Sequence, residues 1–130
     1  MKDALVCIAL LLFAETAALS ADPVTTPDAY RDPDRLAQLI NGTGPAYVLV
    51  DVRTAEEYQS GHIPSAINIP VGEIHDHPPT ADASALIIVY CASGGRSARA
   101  KTILNELGYT LVVDFGGIVR WTGDVVSQDK

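Results

Sequence analysis

Residues 86–97, LIIVYCASGGRS, put one thiol where chemistry is possible. An apolar run ends at Cys91; Ala92, Ser93, Gly94 and Gly95 then precede Arg96 and Ser97. Glycine lets a chain curl tightly. In such a turn backbone N–H groups converge, and the N-terminus of a following helix adds partial positive charge. Both favour an anion, and the nearest one is the Cys91 sulfur. A helix N-terminus and a guanidinium lower a thiol pKa, so the pattern predicts a thiolate nucleophile at neutral pH. The same loop would stabilise a persulfide or the oxyanion of a substrate. A cysteine beside a strand-to-helix turn can also be a small buried apolar side chain. The Gly-Gly-Arg-Ser run and the helix start directly after it favour the reactive reading.

Such a loop needs strands and helices to hold it. AYVLVDVR at 46–53 and ALIIVYC at 85–91 are continuous apolar runs, read as strands buried on both faces. AINIP at 66–70 and TLVVDF at 110–115 read as further strands. Asp32 can cap a helix that starts at Pro33 and presents Leu36, Leu39 and Ile40. NGTGP at 41–45 ends it. Thr54 and Glu57 have the spacing of a capping box on a short helix ended by Gly61. The stretch 71–84 starts as a helix and dissolves into a polar loop at Pro78 and Pro79. A third helix starts near Arg96 or Ser97, shows Ala100, Ile103, Leu104 and Leu107 on one face, and stops at Gly108. GGIVRWTGDVV at 116–126 then reads as a glycine turn, a helical turn and a tail. The alternation predicts an α/β fold, a central, mostly parallel sheet flanked by helices on both faces. Sites in such sheets lie beyond the carboxyl ends of the strands, where Cys91 falls.

The chain has 130 residues, 48% hydrophobic and 19% charged, which fits one globular domain. No basic block or aromatic-interleaved basic patch is present, which argues against a nucleic-acid partner. The excess of 16 acidic over 9 basic residues gives −7 and favours solubility without naming a partner. At the N-terminus, Lys2 is followed by an apolar core over 4–13 and by small residues up to Ala21. This predicts a cleaved export signal, 1–20, and a periplasmic-type location. A buried N-terminal helix or an uncleaved anchor is the alternative; the run is short for a bilayer span. The expected layout is then a linker at 21–31, a domain at 32–126 and a tail at 127–130. The mature chain of about 110 residues is enough for one core. It is expected to be a monomer with no membrane span. Cleavage removes Cys7 and leaves Cys91 without an intramolecular disulfide partner. A leftover thiol in an exported protein points to intermolecular pairing or a reactive site.

Three blocks, DVRTAEEYQSGHIPSAINIP, YCASGGRSARA and FGGIVRWTG, resemble the signatures of a rhodanese-like domain, in family order and spacing. The resemblance covers about residues 32–123. With the export signal, the chain is similar to small exported thiosulfate sulfurtransferases of bacteria. The resemblance implies that Cys91 attacks the outer sulfur of thiosulfate, releases sulfite and holds a persulfide. Cyanide or a thiol acceptor then takes that sulfur, in ping-pong covalent catalysis. No separate cofactor is implied. The implied partners are a small anionic sulfur donor and a thiophilic acceptor, with a protein acceptor as an option.

The resemblance also implies roles for single residues. The amides of 92–97 cradle the persulfide, and Arg96 closes the loop and binds the donor. Arg99 either adds to the positive field beside Arg96 or is merely solvated. Asp51 and Arg53, charged at a strand end, read as an ion pair or hydrogen-bonding pair, with Asp51 orienting Arg96 as an alternative. His62 reads as a structural hydrogen-bonder rather than a base. His75 and His77 flank Asp76 in a proline-rich loop without a third ligand nearby, so no metal is expected. Trp121 is expected to pack the C-terminal turn onto the sheet. Three rivals remain: a sulfur carrier or redox partner using the same loop, a non-catalytic binding module, and a phosphatase or arsenate reductase of the same fold. Binding modules usually lack the cysteine. Cysteine phosphatases have one residue more between Cys and Arg, which makes room for a tetrahedral oxyanion. The four-residue gap here favours sulfur.

Overall fold

A computed structural model describes residues 26–128. The expected export signal and Cys7 lie outside the described residues. Four strands, β1 Val48–Asp51, β2 Ile67–Asn68, β3 Leu86–Cys91 and β4 Leu111–Gly117, form one sheet in the order β2-β1-β3-β4. All three pairings are parallel. Three helices complete the frame: α1 Pro33–Ile40, α2 Ala55–Ser60 and α3 Gly95–Glu106. Two 3-10 turns, Pro27–Arg31 and Ile118–Arg120, bracket them.

Every residue of β3 is buried. Strand side chains alternate between faces. Leu86, Ile88 and Tyr90 enter one core with Leu36 and Leu39 of α1, while Ile87, Val89 and Cys91 enter the other with Ala100 and Leu104 of α3. Covering both faces is why β3 reads as an unbroken apolar run. The α/β class and the helices on both faces therefore follow from the sequence pattern.

Several boundaries differ. Pro27–Arg31, in the expected linker, forms a 3-10 turn whose Tyr30 is buried in the first core. Asp32 occupies the cap position of α1 but makes no side-chain cap bond. β2 is two residues long and lies at the sheet edge, paired with β1. The polar stretch after it still buries Ile74 completely in the second core. α3 starts at Gly95, before the expected Arg96 or Ser97, and its buried face is Ser97, Ala100 and Leu104. Leu107 stays 39% exposed. Val126 pairs antiparallel with His62, and Gln128 N–H donates to Gln59 O at 2.9 Å, so ordered pairing runs into the expected tail. Trp121 packs against the first core, as its position after β4 suggests.

Gly116 and Gly117 are strand rather than turn. Register slips between Val89 and Tyr90, which pair with Asp114 and Gly116, so Phe115 is an extra residue in β4. Gly116 takes φ +98°, a conformation that favours glycine. Gly117 is then opposite Cys91. A Cβ there would stand 2.5 Å from Ala92 O and 2.8 Å from Ser93 Cα, both backbone atoms. The cysteine loop thus lies directly on β4. Gly117→Ala is expected to lower stability by about 1–3 kcal/mol in chemical denaturation, the cost of overpacking. An unchanged midpoint and slope would show that the loop does not rest there.

Candidate active site

β3 delivers Cys91 to the carboxyl end of a strand flanked by β1 and β4. The residue is 1% exposed. The chain turns at Gly94, with φ +116°, and α3 begins at the next residue. Of the two glycines in the loop, only Gly94 needs the left-handed region; Gly95 does not. Gly94 N–H donates to Sγ at 3.0 Å and Ser97 N–H at 3.3 Å. Ser97 Oγ is 3.5 Å from Sγ, 3.1 Å from Gly94 O and 3.4 Å from Gly116 O.

A hydroxyl carries one proton. Facing a thiol, Ser97 donates to a carbonyl and accepts from S–H. Facing a thiolate, it turns that proton to the sulfur. Burial pushes the Cys91 thiol up, but the Ser97 hydroxyl and the amides of Ser97, Gly94 and Ser93 outweigh it. The net pKa lies below the ordinary thiol value. The N-terminus of α3 acts in the same direction. Ala92 is half-buried and Ser93 exposed at the loop rim.

Arg96 points across to α2. Its Nη1 donates to Glu57 Oε1 at 2.8 Å and its Nη2 to Oε2 at 3.1 Å. Glu57 also completes the expected capping box: Oε1 accepts from Thr54 N–H at 2.9 Å and from Thr54 Oγ1 at 3.1 Å. Arg96, and then the Thr54 amide, hold the Glu57 carboxyl down to about 2. A depressed carboxylate stabilises the fold above its ordinary range and loses that contribution as pH falls toward 2. The tie is therefore intact at neutral and mildly acidic pH. The sequence reading makes Glu57 a helix-start residue only. Its signal was available, since a capping box uses one carboxylate oxygen and leaves the other free.

Asp51 does not orient Arg96. Its Oδ2 takes Arg53 Nη2 at 2.6 Å, Arg53 Nε lies 3.0 Å from both carboxylate oxygens, and Arg53 N–H donates to Oδ1 at 2.9 Å. Both residues are buried. Burial pulls the Arg53 guanidinium down, and the hydrogen bond and charge of Asp51 more than reverse it. Arg53 Nη2 also donates to Gly61 O at 2.7 Å, and its guanidinium lies 5.8 Å from the Tyr90 ring centre. The Tyr90 hydroxyl accepts from Ile63 N–H at 3.0 Å; burial, then the Asp51 charge, push its pKa up.

His62 is buried, with Nδ1 2.8 Å from Tyr58 O and its ring stacked on Tyr58 at 3.7 Å. Its contacts are with α2 and the C-terminal segment, not with the sulfur loop. Arg99 is exposed on α3 and has no ion pair among the described residues. His75 Nδ1 is 3.0 Å from Asp76 Oδ1 on the surface. Among the described residues no group of three His, Cys, Asp or Glu side chains could hold a metal, and no helix is long and apolar enough to cross a membrane.

A strand-end thiol in a short amide-lined turn, on a parallel sheet covered on both faces, defines an α/β domain built around a buried cysteine. The chain belongs to the Rhodanese-like domain family, whose sequence model matches residues 32–124. It is 45% identical over 71 residues to thiosulfate sulfurtransferase PspE of Escherichia coli, covering 53% of this chain and 68% of that protein. It is 37% identical over 81 residues to putative sulfurtransferase YtwF of Bacillus subtilis, covering 62% and 79%. Among solved structures, a rhodanese with anions from E. coli superposes with TM-score 0.59 at 40% identity, covering 63% of this chain and 99% of that one.

Ser97→Ala removes a donor to the thiolate and is expected to raise the Cys91 pKa. Alkylation of Cys91 by iodoacetamide at pH 7 then slows, and its pH profile moves to higher pH. Superimposable profiles for the two proteins would contradict the role given to the hydroxyl.

Proposed function

We propose that the protein is a sulfurtransferase that moves the outer sulfur of thiosulfate to a thiophilic acceptor through a Cys91 persulfide. The observation that carries this reading is the convergence of the Gly94 and Ser97 amides on Cys91 Sγ. The thiolate attacks the outer sulfur of thiosulfate. A new S–S bond forms, the old one breaks, and sulfite leaves with the electron pair. The terminal sulfur of the persulfide now carries the negative charge. In the second half-reaction the acceptor, cyanide or a thiolate, attacks that outer sulfur, and Cys91 departs as thiolate. The donors that lower the Cys91 pKa also stabilise it as this leaving group. Family membership and the similarity to thiosulfate sulfurtransferase PspE support the choice of donor. The four-residue gap from Cys91 to Arg96 supports sulfur over phosphoryl transfer.

Thiosulfate is expected to add the mass of one sulfur atom to Cys91, cyanide to remove it as thiocyanate, and Cys91→Ser to reduce turnover to background. Mass spectrometry of the intact protein before and after each reagent checks this. Absence of both adduct and thiocyanate would remove thiosulfate as donor.

A sulfur-carrier role is the second reading, favoured by 34% identity over 76 residues to putative sulfur carrier protein YrkF of B. subtilis, covering 58% of this chain and 41% of that protein. Faster transfer to a partner protein than to cyanide or a small dithiol would select it.

Export is part of the proposal, resting on the apolar run over 4–13 and the small residues before Ala21. Protein recovered from the periplasm is expected to begin at Ala21; an intact Met1 on that fraction would overturn cleavage.

A further inference from the structure

The donor proposed above is a dianion, and the chain carries a net charge of −7. A local cation must therefore draw the donor in. Arg96 is the obvious candidate by position, but its fork is occupied. Both terminal nitrogens lie on Glu57, whose carboxylate is itself pinned by the Thr54 amide and hydroxyl. Arg96 and Glu57 together are electrically neutral, and Arg96 acts as a strut between α2 and α3.

Arg99 differs in each respect. It is exposed and has no ion pair among the described residues. Residues three apart share a helix face, so it stands beside Arg96. Helical side chains lean toward the helix N-terminus, which for Arg99 is the direction of the turn at Gly95 and Arg96. The first turn of α3 has no acidic residue to neutralise it. Between that turn and the sulfur stand Gly94 and Gly95, where even a Cβ would meet nothing within 4 Å. Neither glycine puts a side chain in that approach.

We infer that Arg99, rather than Arg96, is the cation that draws the anionic sulfur donor to Cys91. This rests on the proposed sulfurtransferase reading for the identity of the donor, but its physical content is a charge effect at the Cys91 thiolate.

The test compares alkylation of Cys91 by iodoacetate, an anion, with alkylation by iodoacetamide, its neutral analogue. Both reagents need the thiolate, so the ratio of their rates cancels any change in Cys91 pKa. Arg99→Gln is expected to lower the iodoacetate-to-iodoacetamide ratio by about threefold, the order of effect of removing one unit charge in water. Arg99→Lys keeps most of the ratio, and added salt shrinks the difference between wild type and the glutamine variant. In thiosulfate turnover, Arg99→Gln raises KM several-fold with little change in kcat. An unchanged ratio in Arg99→Gln, or an equal fall in the glutamine and lysine variants, overturns the inference. If the ratio falls while wild type shows no thiosulfate turnover, the donor assignment fails and the role of Arg99 stands.

Discussion

The convergence of two backbone amides on the Cys91 sulfur is the constraint around which the structure is arranged. A sulfur 1% exposed is poorly placed to carry charge. Desolvation alone would keep it protonated. Gly94 N–H, Ser97 N–H and the Ser97 hydroxyl reverse that balance. For them to do so, β3 must end at Cys91, the chain must pass through a left-handed residue at Gly94, and α3 must start at once. The loop must also sit flat on β4, which the missing side chain at Gly117 allows. A fault in any one of these moves a donor off the sulfur.

Two ion pairs hold the frame, and they work differently. β1 and β3 are neighbours, yet the helices that follow them leave to opposite faces: Tyr58 of α2 packs on the first core, Ala100 and Leu104 of α3 on the second. This divergence opens the crevice where sites form in α/β sheets. Glu57 and Arg96 bridge it from either side. Their side chains are 36% and 37% exposed, so the pair contributes about 1 kcal/mol or less to stability and acts mainly through geometry. Asp51 and Arg53 are buried beneath it. Losing one partner of such a buried pair costs about 3–5 kcal/mol. Arg53 also reaches the carbonyl of Gly61, the C-cap of α2. The buried pair thus fixes the far end of α2, and α2 presents Glu57 to the loop.

That arrangement separates two tasks which sequence position assigns to one arginine. Closing the loop needs a guanidinium held in place, and meeting a mobile anion needs one that is free. A bidentate carboxylate partner suits Arg96 to the first task. Arg99, exposed on α3, has no carboxylate partner among the described residues.

The sheet, the helices on both faces and the cysteine turn were legible in the sequence, because each is local. Unbroken runs such as LIIVYC encode burial on two faces, the Thr54–Glu57 spacing encodes a cap, and Cys91 with Gly94 encodes an anion-binding turn. The misreadings share one cause: they depend on partners distant in the chain. Tyr30 looks like linker until the first core closes over it. Gly116 and Gly117 look like a turn until β3 pairs with them and a bulge takes up Phe115. Glu57 and Arg96 are 39 positions apart and meet only because adjacent parallel strands send their helices to opposite faces. The sequence by itself determined which side chain the turn is built around, since a thiol at the end of a buried strand before a glycine turn is a local fact. Only the tertiary structure decided which charges surround it, because electrostatic partners are chosen by distance in space and not along the chain.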